Sequence, residues 1–249
     1  MLSQGKEGKL MQKREMRDLP KLDPPRNIRL KFIKIGTLQY ISHLDLQRTF
    51  NRIIGRACLP VWYSKGFNPH IKLVFSTPLS VGSESVCEYL DIRIEHEMSC
   101  EEIMERLNAE MTDEFHIVEV YEPKSDFADI KWATYQINIH TNGATAELAD
   151  KMRETLTEGP VMLTKRTKAG EKEIDIIPLI SSVSVTYSEE SGDIVIDATV
   201  SATSTEYLNP EMLVTALKLK LCILSGSPLE EYYSIMRTHL LRQDMSEFS

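Results

Sequence analysis

Residues 28–58 read IRLKFIKIGTLQYISHLDLQRTFNRIIGRAC, and this stretch decides the fold class of the first half of the chain. Apolar and basic residues alternate over 28–35, as expected for a strand with one buried face, and Gly36 ends the alternation. Ser42 then has the chemistry of a helix N-cap, and apolar residues recur at helical spacing up to about Cys58. The stretch therefore predicts a strand followed by an amphipathic helix.

The rest of the first half extends this pattern. Strands are predicted near residues 61–63, 71–76 and 87–95. A helix follows Ser99 and Glu102, which have the spacing of a capping box, and a last strand covers Phe115 to Tyr121. The order βαββαβ is that of the ferredoxin-like plan, in which two helices cover one face of an antiparallel sheet.

The second half repeats the same pattern after a hydrophilic stretch at 122–129. A strand over 133–140 leads to a helix that starts near Thr141-Asn142-Gly143, and an N-cap and proline at Asn209-Pro210 open a last helix. Further strands are predicted near 161–165, 172–177, 181–187, 193–201 and 232–240. We therefore predict an α+β chain of two tandem ferredoxin-like domains with antiparallel sheets, the second with an extra hairpin.

These patterns divide the chain into five segments. They are a basic flexible N-terminal arm (1–26), a first domain (27–123), a linker (124–131), a second domain (132–241) and a C-terminal tail (242–249).

Charge is spread unevenly over the 249 residues. The net charge is −8, but residues 1–75 carry +10 and the remainder −18. An acidic protein is poorly suited to generic nucleic-acid binding, although one basic face in the first part of the chain can still meet phosphate. RNA is therefore a candidate partner of the first domain.

Other classes of protein are excluded by composition and spacing. No apolar run approaches the roughly 20 residues of a membrane span, and the basic N-terminus lacks the apolar core of a secretory signal, so we expect a cytoplasmic protein without a membrane partner. Common nucleotide, zinc-protease and hydrolase motifs are absent. No paired spacing that would suggest a metal site joins the four cysteines, Cys58, Cys87, Cys100 and Cys222.

The densest unusual string is YSKGFNPH, at residues 63–70. Gly66 can adopt a positive φ, and Pro69 keeps Asn68 extended, so the loop has a defined shape. An ordered polar loop is a candidate binding site. Its substrate-binding candidates are Ser64, Lys65, Gly66, Phe67 and Asn68. The alternative is an ordinary turn, because glycine, asparagine and proline are common in turns.

A second candidate lies at the start of the first helix, in the string SHLD. In the functional interpretation, His43 and His70 act as a general acid and base, with Asp45 as a further catalytic residue. In the structural interpretation, Ser42 caps the helix, Asp45 complements its dipole and His43 bonds a backbone carbonyl.

Two basic groups complete the candidates. Arg48, Arg52 and Arg56 recur every four residues on the helix face opposite the apolar one, with Asp45 as the nearby acid, and can bind phosphate or only solvate the helix. Lys168 belongs to a basic cluster at 165–172, which is either an RNA contact or a charged hairpin tip.

Several strings together resemble one known family. They are RLKF from Arg29 with Gly36, ISHLD from Ile41, YSKGFNPH from Tyr63, PLSVG from Pro78 with EYLD from Glu88, and KEID from Lys172 with Pro178. The set is similar to the bacterial radical-SAM-associated domain family of unknown function, over about residues 28–240. The resemblance implies a radical-SAM protein as partner, whose iron–sulfur cluster and S-adenosylmethionine would belong to that partner, with no cofactor in this chain.

Three functions are therefore open. The first is an accessory or substrate-presenting partner of a radical-SAM enzyme, in RNA modification. The second is a stand-alone enzyme that uses His43 and His70 on a phosphorylated or RNA substrate. The third is a non-catalytic scaffold.

Overall fold

The structure, a computed structural model, describes residues 19–167 and 170–249. The described chain divides into two compact units. The first comprises residues up to Val81, residues 85–125 and Ser249, and the second comprises residues 82–84 and 126–248. Strands in both units pair antiparallel, and helices are few, so the chain is an α+β protein.

The described residues of the first unit form four strands and two α-helices. They are β1 (Lys21–Lys34), α1 (His43–Arg56), β2 (Val74–Phe75), β3 (Ser83–His96), α2 (Cys100–Asn108) and β4 (Ile117–Tyr121), with a 3₁₀-helix over Gly36–Tyr40 between β1 and α1. β1 pairs with β4 and with β3. Leu90 and Asp91 of β3 pair with β1 on one edge and with β2 on the other. The strand order in this unit is therefore β4-β1-β3-β2.

The core of the first unit lies between this sheet and its helices. Every second residue of β1 from Ile28 to Phe32 is buried, and the apolar face of α1 is buried with them. The rings of Phe32, Phe50 and Phe115 meet edge to face at centroid distances of 5.0 to 5.8 Å. Edge-to-face aromatic pairs contribute beyond their buried area, so this cluster fixes α1 on the sheet.

The N-terminal end of β1 overlaps the predicted arm. Residues 1–18 lie outside the described residues. Lys21 pairs with His96, and the Pro20 carbonyl accepts a hydrogen bond from Glu97 N at 3.1 Å. Residues 20–26 are thus held to β3, and the first unit begins before residue 27.

In the second unit, leaving aside residues 168 and 169, the structure has six strands and two α-helices. They are β5 (Trp132–His140), α3 (Ala146–Thr157), β6 (Met162–Thr167), β7 (Gly170–Asp175), β8 (Ile180–Tyr187), β9 (Ile194–Ser201), α4 (Glu211–Leu221) and β10 (Tyr232–Leu241). Two 3₁₀-helices cover Phe127–Asp129 and Ile177–Leu179. The strand order is β10-β5-β9-β8, while β6 and β7 pair with each other. β6 and β7 thus form an antiparallel pair in the region where the sequence predicts an extra hairpin.

Two boundaries in the second unit differ from the sequence prediction. α3 is capped by Thr145, whose side chain accepts from Leu148 N, rather than by the residues near Thr141. The predicted tail folds back, because Phe248 is fully buried and its N–H donates to the Leu240 carbonyl at 2.8 Å. None of the helices in the described ranges is long and apolar enough to cross a membrane.

Candidate functional site

The start of α1 is a closed capping arrangement. Ser42 Oγ accepts from Asp45 N at 3.2 Å and donates to Asp45 Oδ2 at 2.8 Å. Arg48 donates to the other carboxylate oxygen at 3.1 Å. The Ser42 hydrogen bond, and then Arg48, hold the pKa of Asp45 below its ordinary value. Asp45 thus serves the helix end and Arg48, and no hydrogen bond joins it to His43 in the described structure.

His43 lies on the exposed side of this helix start. Its Nε2 is 3.2 Å from Gln47 Nε2, and its ring meets the Phe75 ring edge to face at 5.0 Å. His43 therefore has the side-chain amide of Gln47, one helical turn later, as its hydrogen-bond partner. The sequence had suggested a backbone carbonyl instead. This leaves the imidazole at the surface, with one hydrogen bond and one aromatic contact to orient it.

The loop at residues 64–70 is tied at its base by Ser64 and His70. Ser64 N donates to the His70 carbonyl at 2.9 Å, and His70 N donates to Ser64 Oγ at 3.1 Å. Ser64 Oγ is also 2.9 Å from His70 Nδ1. Gly66 has a φ of +140°, a backbone conformation that residues other than glycine rarely adopt. These contacts give the exposed loop a defined shape.

The tip of this loop presents an aromatic ring and a cation to solvent. Phe67 is fully exposed, Lys65 is exposed, and Tyr63 at the start of the loop is 48% exposed. The preceding Trp62 lies beneath the guanidinium of Arg93, 5.7 Å from its ring centroid. The loop tip therefore offers a ring face and a cation side by side to groups in solution.

The SHLD string and the loop at 64–70 each make their polar contacts within their own segment. The structure brings Ser42, Asp45 and Arg48 together, and it brings Ser64, Asn68 and His70 together, since the Asn68 carbonyl lies 3.2 Å from His70 Nδ1. No hydrogen bond or ring contact joins His43 to His70 among the described residues. A shared acid–base site stays a prediction.

The three arginines of α1 are exposed, and two of them have acidic partners. Arg48 pairs with Asp45, and Arg56 pairs with Glu110 at 2.7 Å. Glu110 is 54 residues away in sequence, so local spacing did not reveal it. Exposed ion pairs contribute little to stability. The Arg48–Asp45 pair, in which both side chains are more than half exposed, can therefore exchange its acid for phosphate at small cost, whereas Glu110 beside Arg56 is only 21% exposed.

The first unit also contains a small pocket that the sequence did not predict. Its polar lining includes Lys34, Glu88, His43 and Thr77, and its apolar lining consists of Ile41, Leu46, Phe75 and Leu79. Lys34 and Glu88 are only 3% and 5% exposed, and Lys34 Nζ donates to the Gln39 carbonyl at 3.2 Å. The strings from Ile41, Pro78 and Glu88 each supply a lining residue, which is the sequence feature that could have suggested it.

Arg29 has a structural role in the same unit. It is 1% exposed and donates to both carboxylate oxygens of Asp91, at 2.7 and 2.8 Å, and to Ser125. Burial acts to lower the pKa of Arg29, but the Asp91 carboxylate outweighs it and the pKa is raised. A guanidinium held in this way is part of the core rather than of a binding surface.

The last candidate residue, Lys168, lies outside the described residues. In the same hairpin Lys165 donates to the Tyr207 carbonyl at 2.9 Å. Within residues 19–167 and 170–249, no three His, Cys, Asp or Glu side chains are grouped to hold a metal ion.

Comparisons with solved structures give distant likenesses. A crystal structure of a Cbf5–Nop10–Gar1 complex matches with a TM-score of 0.44 and 13% identity, over 86% of this chain and 48% of that chain. This chain thus spans about half the length of that one. An unknown protein from Galdieria sulphuraria matches with a TM-score of 0.24 and 8% identity, over 86% of this chain and 98% of that chain. Scores this low support no inference about function.

Comparisons of sequence are more decisive. No curated protein matches the chain. Residues 27–210 match a family described as uncharacterised protein conserved in bacteria, DUF2344, and this range is well over half of the chain. The description names neither a reaction nor a partner. The chain therefore belongs to this family of uncharacterised bacterial proteins.

Proposed function

We propose that the chain is an accessory partner of a radical-SAM enzyme and presents RNA to it from two tandem ferredoxin-like domains. For the fold, support comes from the strand order of each unit. Numbering the four main strands of each unit along the chain gives the order 4-1-3-2 in both, with all neighbours antiparallel. A helix follows the first and the third strand of each unit, as the split βαβ plan requires.

The observation that carries the functional proposal is the exposed tip of the loop at 64–70. Single-stranded RNA is bound by aromatic side chains that stack on bases and by cations that meet the phosphates. Phe67 supplies a free ring and Lys65 a cation on a loop whose base is fixed by Ser64 and His70. The exposed arginines of α1 add positive charge in the same unit.

The partner is proposed from the resemblance of the motif strings. A radical-SAM enzyme carries its own iron–sulfur cluster and S-adenosylmethionine, so in this proposal both groups belong to the partner. The work left to this chain is to bind the substrate and hold it. This division fits a chain whose fixed polar groups serve helix capping and loop shape.

Replacing Phe67 by alanine tests the RNA contact. Because stacking on one base is worth about 1–3 kcal/mol, Phe67→Ala should weaken binding of a fluorescent single-stranded RNA by roughly 5- to 150-fold. Leu229→Ala is the matched control, since Leu229 is 91% exposed in the second unit. Equal affinities of the two variants at low salt would refute the RNA contact.

Co-purification tests the partnership. A tagged chain isolated from its host should retain a protein with a radical-SAM cluster, detected by mass spectrometry and by iron content, together with RNA. Recovery of the chain without an iron–sulfur protein, under anaerobic conditions and at low salt, would refute the accessory role.

A stand-alone enzyme is the second candidate, favoured by the 2.9 Å distance between Ser64 Oγ and His70 Nδ1. A hydroxyl next to an imidazole can be activated as a nucleophile. Turnover of an RNA substrate by the isolated chain, lost in His70→Ala with the fold retained, would favour this function over the accessory role.

A further inference from the structure

Strand β8 is an outer edge of the sheet in the second unit. It ends the strand order β10-β5-β9-β8, and within the described residues it pairs with β9 on one side only. An edge strand presents a row of unpaired N–H and C=O groups, which can template pairing with another strand. The edge takes no part in the proposed RNA contacts, because those lie in the loop at 64–70 and on α1.

β8 carries neither a charge nor a proline, the residue types that commonly protect an edge strand from pairing. The edge strands of the first unit are protected in other ways, since β2 has two residues and β4 has five with Glu119 among them. β8 has eight residues. Its register shift lies between Ile180 and Ser182, which leaves residues 182–187 in continuous register with β9. The edge is therefore open to a second strand over this length.

The pairing with β9 shows which backbone groups of β8 face outward. In an antiparallel pair, every second residue turns both its N–H and its C=O to the same neighbour. Ser188 N donates to the Asp193 carbonyl at 2.9 Å, and the Ser188 carbonyl accepts from Gly192 N at 2.9 Å. Ser188 and the even-numbered residues before it thus bond to the β9 side. The residues that direct their backbone groups outward are Val183, Val185 and Tyr187.

The same three residues have incompletely buried side chains. They stand opposite residues of β9 that are fully buried, yet they are themselves only half-buried. On the other face of the strand, Ser182, Ser184 and Thr186 expose their hydroxyl-bearing side chains. A strand beyond β8 would thus complete the burial of an apolar face and meet a row of hydroxyl groups on the opposite face.

We propose that β8 pairs antiparallel with the β8 of a second copy of this chain, with Val185 opposite its own copy. In this register Ser184 lies opposite Thr186, and Val183 lies opposite Tyr187. Pairs of hydroxyl side chains and pairs of an aromatic with a β-branched residue are both favourable across strands. The three outward-facing residues of each copy then form roughly six hydrogen bonds between the copies. Both faces of the strand are therefore complementary to themselves.

Charge favours the antiparallel arrangement over a parallel one. Glu189 and Glu190 are exposed in the turn that follows β8. In the proposed register Glu189 lies opposite Ser181 of the second copy, so the two Glu189 side chains are roughly 26 Å apart along the strands. This distance exceeds the Debye length of about 8 Å at physiological salt. A parallel pair would instead place like charges side by side.

Sedimentation velocity of the full chain tests this pairing. Because an interface of one strand pair is small, the average mass is followed from roughly 5 to 500 µM protein. The wild type should shift from monomer towards dimer over this range. Ser184→Lys and Ser184→Glu should each stay monomeric, because the two copies of residue 184 are diagonal neighbours about 7–8 Å apart. An equimolar mixture of the two variants should form dimers again.

Two further variants separate edge pairing from loss of the fold. Val185→Pro removes an outward N–H and leaves the hydrogen bonds to β9 in place, so it should abolish the dimer and retain the circular dichroism spectrum. Ser234→Lys makes the matched substitution at an exposed position of β10 and should associate like the wild type.

A wild type that stays monomeric at every concentration would overturn the proposal and leave the edge to an extended segment of another protein. Dimers of Ser184→Lys as strong as those of the wild type, or a mixture with Ser184→Glu that stays monomeric, would also overturn it.

Discussion

The two units have the same order of strands and helices, but their first helices carry opposite charge. The exposed face of α1 bears Arg48, Arg52 and Arg56 with one acid, Asp45, whereas α3 bears the three acids Glu147, Asp150 and Glu154 with two cations, Lys151 and Arg153. Each helix buries an equivalent apolar face against its sheet. The shared plan therefore accounts for the fold of both units, and the difference in surface charge concentrates the proposed RNA contacts in the first.

The units also differ in the segment between the first helix and the second strand of the shared plan. In the first unit this segment forms the exposed loop at 64–70, and in the second it forms the paired strands β6 and β7. The same position in the plan thus tolerates a loop with a free aromatic ring or a regular hairpin.

The largest effect is expected from the buried ion pair of the first unit. Arg29→Met leaves the Asp91 carboxylate without its bidentate partner and should lower the free energy of unfolding by about 3–5 kcal/mol. The chain has two tryptophans, Trp62 in the first unit and Trp132 in the second, so single-tryptophan versions report the two units separately in urea.

Because Arg29 and Asp91 lie in the first unit, Arg29→Met should lower the urea midpoint reported by Trp62 more than the midpoint reported by Trp132. The double variant Arg29→Met/Asp91→Leu removes both charges and should recover much of the loss. Equal shifts of both transitions would mean that the two units unfold as one.

A smaller effect is expected on RNA affinity from the charge of the first helices. Arg48→Gln/Arg52→Gln should weaken RNA binding and flatten the dependence of log affinity on log salt by roughly 0.7 for each lost phosphate contact on a single strand. Arg153→Gln is the matched control in α3, because Arg153 also pairs with an acid three residues away. Identical slopes for all three proteins would remove α1 from the RNA surface.

Local sequence patterns were sufficient for most elements of both units. Alternation over β1 and β5, the caps at Ser42 and Ser99, and the hairpin of β6 and β7 were all predictable, because they depend on neighbours within a few residues. The start of β1 was not, since Pro24 and Pro25 resemble a linker. They fall where the pairing register shifts between Lys21 and Arg26, a place in a strand that tolerates residues without an N–H.

The candidate site was predictable only where it is local. The loop at 64–70 is closed by contacts within seven residues, and its glycine and proline indicated its shape. The pocket is different, because Lys34 and Glu88 are separated by more than fifty residues and look like ordinary strand residues in isolation. Only the pairing of β1 with β3 brings them to one wall.

A pH effect is expected in the second unit at Glu231. Its carboxylate accepts hydrogen bonds from the Thr141 hydroxyl and from the N–H groups of Gly226 and Asn142, which lower its pKa. The ionised form is thus favoured in the folded state. Its stabilisation is complete above the ordinary pKa of glutamate and is lost as the pH falls through the lowered folded value.

Urea midpoints of the Trp132 transition between pH 7 and 3 measure this effect. Glu231→Gln should reduce stability at pH 7 and flatten its decline towards acid pH, while the Trp62 transition keeps its own profile. Parallel pH profiles for wild type and variant would exclude Glu231 as a source of acid sensitivity.

The smallest expected effect compares the caps of the two first helices. Ser42 and Thr145 each accept a hydrogen bond from a backbone N–H, so Ser42→Ala and Thr145→Ala should each cost about 1 kcal/mol in the transition of their own unit. Ser42 differs because it also donates to Asp45 and is the main cause of the lowered pKa of that carboxyl. Ser42→Ala should therefore raise the pKa of Asp45, measured by NMR titration of its side chain, whereas Thr145→Ala should leave it unchanged. An unaltered Asp45 titration in Ser42→Ala would show that Ser42 acts only on the backbone N–H, and the two caps would then be equivalent.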